Sequence, residues 1–93
     1  IPFQNMVYIG DGYSDVPGMT VTVKNGGYAI AVYPKETVAY DKCVELREAE
    51  RVHHIALADF GKDSELVGII KLTLMTIIQN IQFDYSVYRQ KGT

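Results

Sequence analysis

Two carboxylates four residues apart, Asp11 and Asp15, stand in the segment Tyr8-Ile9-Gly10-Asp11-Gly12-Tyr13-Ser14-Asp15. Ahead of them Met6-Val7-Tyr8-Ile9 is an apolar run of strand length closed by Gly10, which reads as a strand buried on both faces. Behind them Asp15-Val16-Pro17 reads as a helix start, with a capping carboxylate and a proline in the first turn. The pair therefore falls where a strand ends and a helix begins, the edge at which open α/β sheets hold their ligands. A hard cation such as Mg²⁺ takes oxygen ligands, usually one or two protein carboxylates completed by waters and phosphate oxygens. Asp11, leaving the strand tip, is placed to be such a ligand. Asp15 is placed to hold a metal-bound water or to orient the ligands around it. Gly12, Tyr13 and Ser14, between the two acids, are the candidate lining of a substrate pocket. The same residues also read without chemistry, Asp11 as a turn residue and Asp15 as a helix cap, and the spacing alone leaves both readings open. A dinucleotide-binding turn fits less well, because Asp15 stands where its third glycine belongs and two acids repel a pyrophosphate.

The other reactive side chains form no constellation. His53 and His54 are adjacent on a predicted strand, so they point to opposite faces and do not converge on one metal. The reading favours one at the sheet surface and one partly covered. Cys43 falls on the apolar stripe of a predicted helix, where a small buried hydrophobe is the ordinary role and no neighbour activates the thiol.

The elements that must position these residues alternate. After the first strand, a short helix is expected to about Lys24, although Thr20, Val21, Thr22 and Val23 are β-branched and weak helix formers. Asn25-Gly26-Gly27 stops it. Tyr28-Ala29-Ile30-Ala31-Val32 is a second strand, its small residues suited to close packing under helices, and Pro34 ends it. Residues 36–51 read as a helix with Ala39, Cys43, Leu46 and Ala49 on one stripe, and with Asp41, Lys42, Glu45, Arg47 and Glu48 facing water. His54-Ile55-Ala56-Leu57-Ala58 is a third strand, followed by a turn through Asp59 and Gly61. Asp63 or Ser64 caps a last helix, with Glu65 in its first turn. That helix is apolar on most of its circumference to Ile81, which demands cover on more than one side. The pattern gives residues 83–93 no place. Strand and helix three times over is the signature of a three-layer α/β unit with a mostly parallel sheet.

Composition bounds the rest. Ninety-three residues allow one domain, and 47% hydrophobic against 22% charged is a globular balance. A net charge of −2 offers no basic stripe for nucleic acid. One cysteine excludes an internal disulfide framework and points to a cytoplasmic setting. The longest apolar stretch, residues 66–78, contains Lys71 and falls short of the roughly 20 residues a spanning helix requires. Ile1 opens no signal-peptide pattern. A first residue other than Met, leading straight into a strand, is expected for a piece of something longer or a processed product.

Gly10-Asp11-Gly12-Tyr13-Ser14-Asp15, between an apolar strand and a proline-containing helix start, resembles the fourth motif of the haloacid dehalogenase-like hydrolase superfamily. Val16-Pro17-Gly18-Met19 and Gly26-Gly27-Tyr28-Ala29-Ile30-Ala31-Val32 look like that family's next helix and strand, and the similarity extends over about residues 5–82. The resemblance implies a partial Rossmann-like core, Asp11 as a Mg²⁺ ligand and Asp15 as support for the metal and its waters. Ser14 stands where many phosphatases of the family carry Asn. The family's other motifs precede this one: an Asp-x-Asp nucleophile pair, a phosphate-binding Ser or Thr, and a charge-balancing Lys. No Asp-x-Asp occurs in this chain, and Lys24 and Lys35 both follow the fourth motif, so they read as solvated lysines.

The resemblance implies the C-terminal, Mg²⁺-binding part of a phosphatase that works through an aspartyl-phosphate, inactive without its nucleophile. It implies a small phosphorylated substrate. It also places the Met6–Ile9 strand at the centre of a complete sheet, so the missing part, or self-association, must cover that edge. A different class of function keeps the same fold: a non-catalytic, receiver-like interaction or regulatory module whose acidic loop is only a turn. In a third reading Asp59 and Asp63 complete an acidic metal cluster of another kind.

Overall fold

A computed structural model describes residues 2–11, 15–34 and 37–92, and for residues 37–39 the backbone only. After a short 3₁₀ turn at Phe3–Asn5, the chain runs β1 (Val7–Gly10), α1 (Val16–Lys24), β2 (Tyr28–Tyr33), α2 (Thr37–Glu48), β3 (His54–Leu57) and α3 (Glu65–Lys91). The three strands form one parallel sheet in the order β1-β2-β3, with Val7 opposite Tyr28 and Ile30 opposite His54. This is the α/β class that the alternating pattern predicts, a partial Rossmann-like unit.

Two parallel crossovers stepping in the same direction put their helices on the same face, because such crossovers are right-handed. That face holds one core, in which Met19 of α1 and Cys43 of α2 close over Ala29 and Ala31 of β2. The alanines let both helix axes approach the central strand. The opposite face holds a second core, where Leu66 at the start of α3 packs on Ile30, Val32 and Ala56. β2 is thus buried on both sides, as its continuous apolar run requires.

Local sequence explains the boundaries. The β-branched α1 forms despite weak propensity because Met19 and Thr22 are buried against the sheet, so tertiary packing overrides preference. Its threonines also bond back one turn, Thr20 Oγ1 to Val16 O at 2.7 Å and Thr22 Oγ1 to Gly18 O at 2.8 Å. α1 stops at Lys24, with Asn25 as its C-cap. Ser64 caps α3, its hydroxyl accepting from the Val67 amide at 3.2 Å, and Glu65 stands in the first turn.

Several expectations need correction. β1 is not buried on both faces: it lies at the sheet's edge, and Met6 and Ile9 are exposed. No strand is described on its outer side, and although Val7 on the same face packs against the second core, Ile9 at the strand tip stays 39% exposed. In α2 the exposed charges are as expected and Cys43 is buried, but Ala49 lies past the helix end and is exposed. α3 does not stop near residue 82. It continues through the unplaced tail to Lys91, a span of about 40 Å, and an 18-residue window of it has mean hydropathy 1.5. By length and composition alone that helix is long enough to cross a membrane, although residues 66–78 are not. Cover on several sides does not materialise either, since Leu72, Leu74, Met75, Ile78 and Ile81 are exposed.

His53 and His54 are both exposed, but His53 has a structural task just before β3. Its amide donates to Ala29 O at 2.9 Å while its Nδ1 accepts from the Ala29 amide at 3.3 Å, extending the β2–β3 ladder by one step. Its ring lies 5.5 Å from that of Tyr28. Desolvation first, and the neighbouring His54 second, lower its pKa below the ordinary 6.5. Protonation would replace the acceptor with an N–H facing an N–H. The unfolded chain takes up that proton more readily, so this stabilisation is complete above pH 6.5 and is lost as pH falls through the lowered folded value. Urea midpoints measured between about pH 8 and 5 should therefore fall on acidification, and the slope should flatten in His53→Phe. A slope unchanged by the substitution would assign the loss to other groups.

Candidate acidic-loop site

Parallel strands bring all their carboxyl ends to one edge. Here that edge carries Asp11 after β1, Pro34 after β2 and Asp59 after β3. Period-two alternation sends Tyr8 and Gly10 to the same face of β1, the face α1 covers. Asp15 lies directly over Gly10: a Cβ built there would stand 2.6 Å from Asp15 Cβ and 2.8 Å from its Cγ. Glycine is required because the strand tip and the helix start approach to backbone distance. Gly18, one turn into α1, does the same for Tyr8, whose ring would be 2.7 Å from an added Cβ.

Asp15 occupies the N-cap position of α1, but its side chain does not bond the helix's own amides. It turns back instead. Oδ1 accepts from the Tyr8 hydroxyl at 3.0 Å, and Oδ2 accepts from the Asp11 amide at 3.1 Å. One carboxylate thus ties the strand's side chain and the loop's backbone to the helix start. The hydrogen bond to Asp15, then desolvation, then the Asp15 charge raise the Tyr8 phenol pKa above its ordinary value, keeping it a donor.

Asp11 is exposed, and its carboxylate has no hydrogen-bond partner among the described residues. Its backbone is fixed by Asp15 while its side chain is left for solvent or a ligand. If a hard cation were held here by few protein oxygens, Asp11 would be the group to ligate it directly, and Asp15 the group that sets the Asp11 backbone. A carboxylate retains acceptor capacity beyond two bonds, so Asp15 can also accept from a metal-bound water. Gly12, Tyr13 and Ser14, the candidate pocket lining, lie outside the described residues.

The remaining acids do not join this pair. Asp59 Oδ1 accepts from the Gly61 amide at 2.8 Å, closing its own turn two strands, roughly 10 Å, from the tip of β1. Asp63 is exposed, and among the described residues no three or more acids, histidines or cysteines cluster as a metal group. Cys43 is a buried free thiol whose pKa burial pushes up, as inert as its position on the helix stripe predicts.

Two residues near this edge were not singled out from the sequence for it. Tyr8 reads as one more apolar strand residue, although its spacing of two from Gly10 places it on the α1 face. Tyr33, at the carboxyl end of β2, packs edge-on against Tyr40 of α2, with ring centroids 5.1 Å apart. That aromatic contact joins residues seven apart across a strand and a helix, which no single periodicity signals. No known protein family, curated protein or solved structure matches this chain.

Proposed function

We propose that this chain is the Mg²⁺-binding C-terminal part of a haloacid dehalogenase-like phosphohydrolase, acting on a small phosphorylated substrate in the cytoplasm. The observation that carries the reading is the division of labour between two acids at the carboxyl edge of a parallel sheet. Asp15 is engaged on both oxygens by Tyr8 and the Asp11 backbone, while the Asp11 carboxylate stays exposed. Asp11 would supply an oxygen to a Mg²⁺ ion held here, whose chemistry would be to neutralise phosphate charge. Asp15, bonded to the Asp11 amide, would keep the loop's backbone in place as that charge arrives or leaves. The attacking carboxylate comes from outside these 93 residues, which contain no Asp-x-Asp pair. The free edge of β1, with Ile9 exposed beside it, is where the strand bearing that carboxylate would pair.

The test is catalytic. In a protein that carries an Asp-x-Asp strand ahead of Ile1, Mg²⁺-dependent hydrolysis of p-nitrophenyl phosphate should fall at least about 100-fold in Asp11→Ala. An unchanged rate would reject the assignment of Asp11. A second reading, a non-catalytic α/β regulatory module, draws on the same carboxylate: Asp15 bonded inward is also what a purely structural turn would show. In that case no phosphatase activity would appear with or without Asp11.

A further inference from the structure

α3 begins at the carboxyl edge of the sheet and runs back across it. Asn80 Nδ2 lies 3.5 Å from the hydroxyl of Tyr28, the first residue of β2, so by residue 80 the helix has reached the sheet's amino edge. Every residue from 78 to 92 is exposed. The last three turns therefore overhang the fold at the end opposite the acidic loop.

The overhang is not patterned like a solvated helix. Leu74, Ile78, Ile81, Tyr85 and Tyr88 recur at intervals of 4, 3, 4 and 3 residues, the heptad repeat of a helix–helix seam. They are 46, 52, 47, 61 and 75% exposed, respectively. Written as a heptad, Ile78 and Tyr85 take position a, and Leu74, Ile81 and Tyr88 take position d. Extended one heptad back, the seam has Lys71 at a and Val67 at d. Ile78 at a stands between Leu74 and Ile81 at d, and the single lysine at a specifies register and oligomer state at a cost in stability.

The flanks give the occupant. Position g holds Asp84 and position e holds Arg89, five residues on, and neither forms an ion pair among the described residues of its own chain. In a parallel two-stranded seam, residue g of one helix meets residue e of the next heptad on the other. Asp84 of each copy then faces Arg89 of the other, twice by symmetry. A bilayer offers no such match, and a stretch spanning it along residues 66–83 would have to accept Lys71.

We propose that α3 is a homodimerisation helix, with two copies of this chain packed in parallel along the Leu74–Tyr88 seam and held in register by reciprocal Asp84–Arg89 pairs. The contact is separate from the β1 edge and leaves both acidic loops open.

Sedimentation equilibrium of the whole 93-residue chain should give twice the 10.4 kDa chain mass. Asp84→Arg sets like charges together at both pairs and should weaken dimerisation about tenfold. Adding Arg89→Asp should restore it. Both sites are exposed, so neither change threatens the fold, which circular dichroism will verify. Tyr88→Cys in a Cys43→Ala background should oxidise to a disulfide dimer, which an antiparallel seam would not allow. A monomer at all soluble concentrations, a dimer indifferent to the charge reversal, or helix-dependent flotation with neutral phosphatidylcholine vesicles in place of dimerisation would each overturn the proposal.

Discussion

Gly10→Ala should lower the stability of the fold by about 2–3 kcal/mol, measured as a drop in the urea midpoint at unchanged slope. The added methyl would sit 2.6 Å from Asp15 Cβ and 2.9 Å from Oδ2, closer than packed carbons approach. A Cβ cannot swing aside, so β1 and the start of α1 must separate. Both hydrogen bonds to the Asp15 carboxylate stretch with them, and the Tyr8 phenol should titrate nearer its ordinary value. A second substitution isolates the cause. Asp15→Ala keeps the offending Cβ and should rescue little, whereas Asp15→Gly removes it and should recover a large share of the loss, a coupling expected only of residues in contact. A Gly10→Ala protein as stable as the parent would mean the strand tip is not held against the helix start.

The acidic loop was legible in outline and not in detail. Glycine, acids and proline between an apolar strand and a helix located a strand-to-helix turn at the sheet's carboxyl edge. They did not say which way Asp15 points. A capping position predicts bonds to the helix's own amides, but here the close approach at Gly10 brings the carboxylate within reach of the Tyr8 hydroxyl and the Asp11 amide instead. That choice depends on a side chain seven residues away across a turn. Likewise, the apolar run from Met6 to Ile9 carried the strand but not its exposure, because burial depends on neighbours the local pattern does not contain. α3 shows the converse. Its heptad intervals continue past Gln82 into the tail, but the polar Gln79, Asn80 and Gln82 break the simple apolar stripe and hide the continuation.

Leu66→Ala should cost about 3 kcal/mol, within the range for truncating a fully buried leucine. Leu66 is 0% exposed and joins the first turn of α3 to Ile30, Val32 and Ala56. α3 is the one element covering that face among the described residues, so the cavity has little around it that can collapse to fill it. Against a total stability of roughly 5–15 kcal/mol for a domain, and toward its low end for a thin core, the variant should be partly unfolded at 37 °C. Amide exchange should quicken first along α3, while β2 and α1 keep more of their protection. A loss below about 1 kcal/mol would show that α3 is not anchored through its first turn.

The central claim is that Asp11 is a cation ligand whose backbone Asp15 holds in place. Its most direct measurement is Mn²⁺ added to the isotopically labelled chain, read as paramagnetic broadening of backbone amide signals. The account predicts broadening centred on residues 10–15, competed away by Mg²⁺ and abolished in Asp11→Asn without loss of the Tyr8–Asp15 hydrogen bond. Broadening that instead follows the surface acids of α2, Asp41, Glu45 and Glu48, and is indifferent to Asp11→Asn would contradict it.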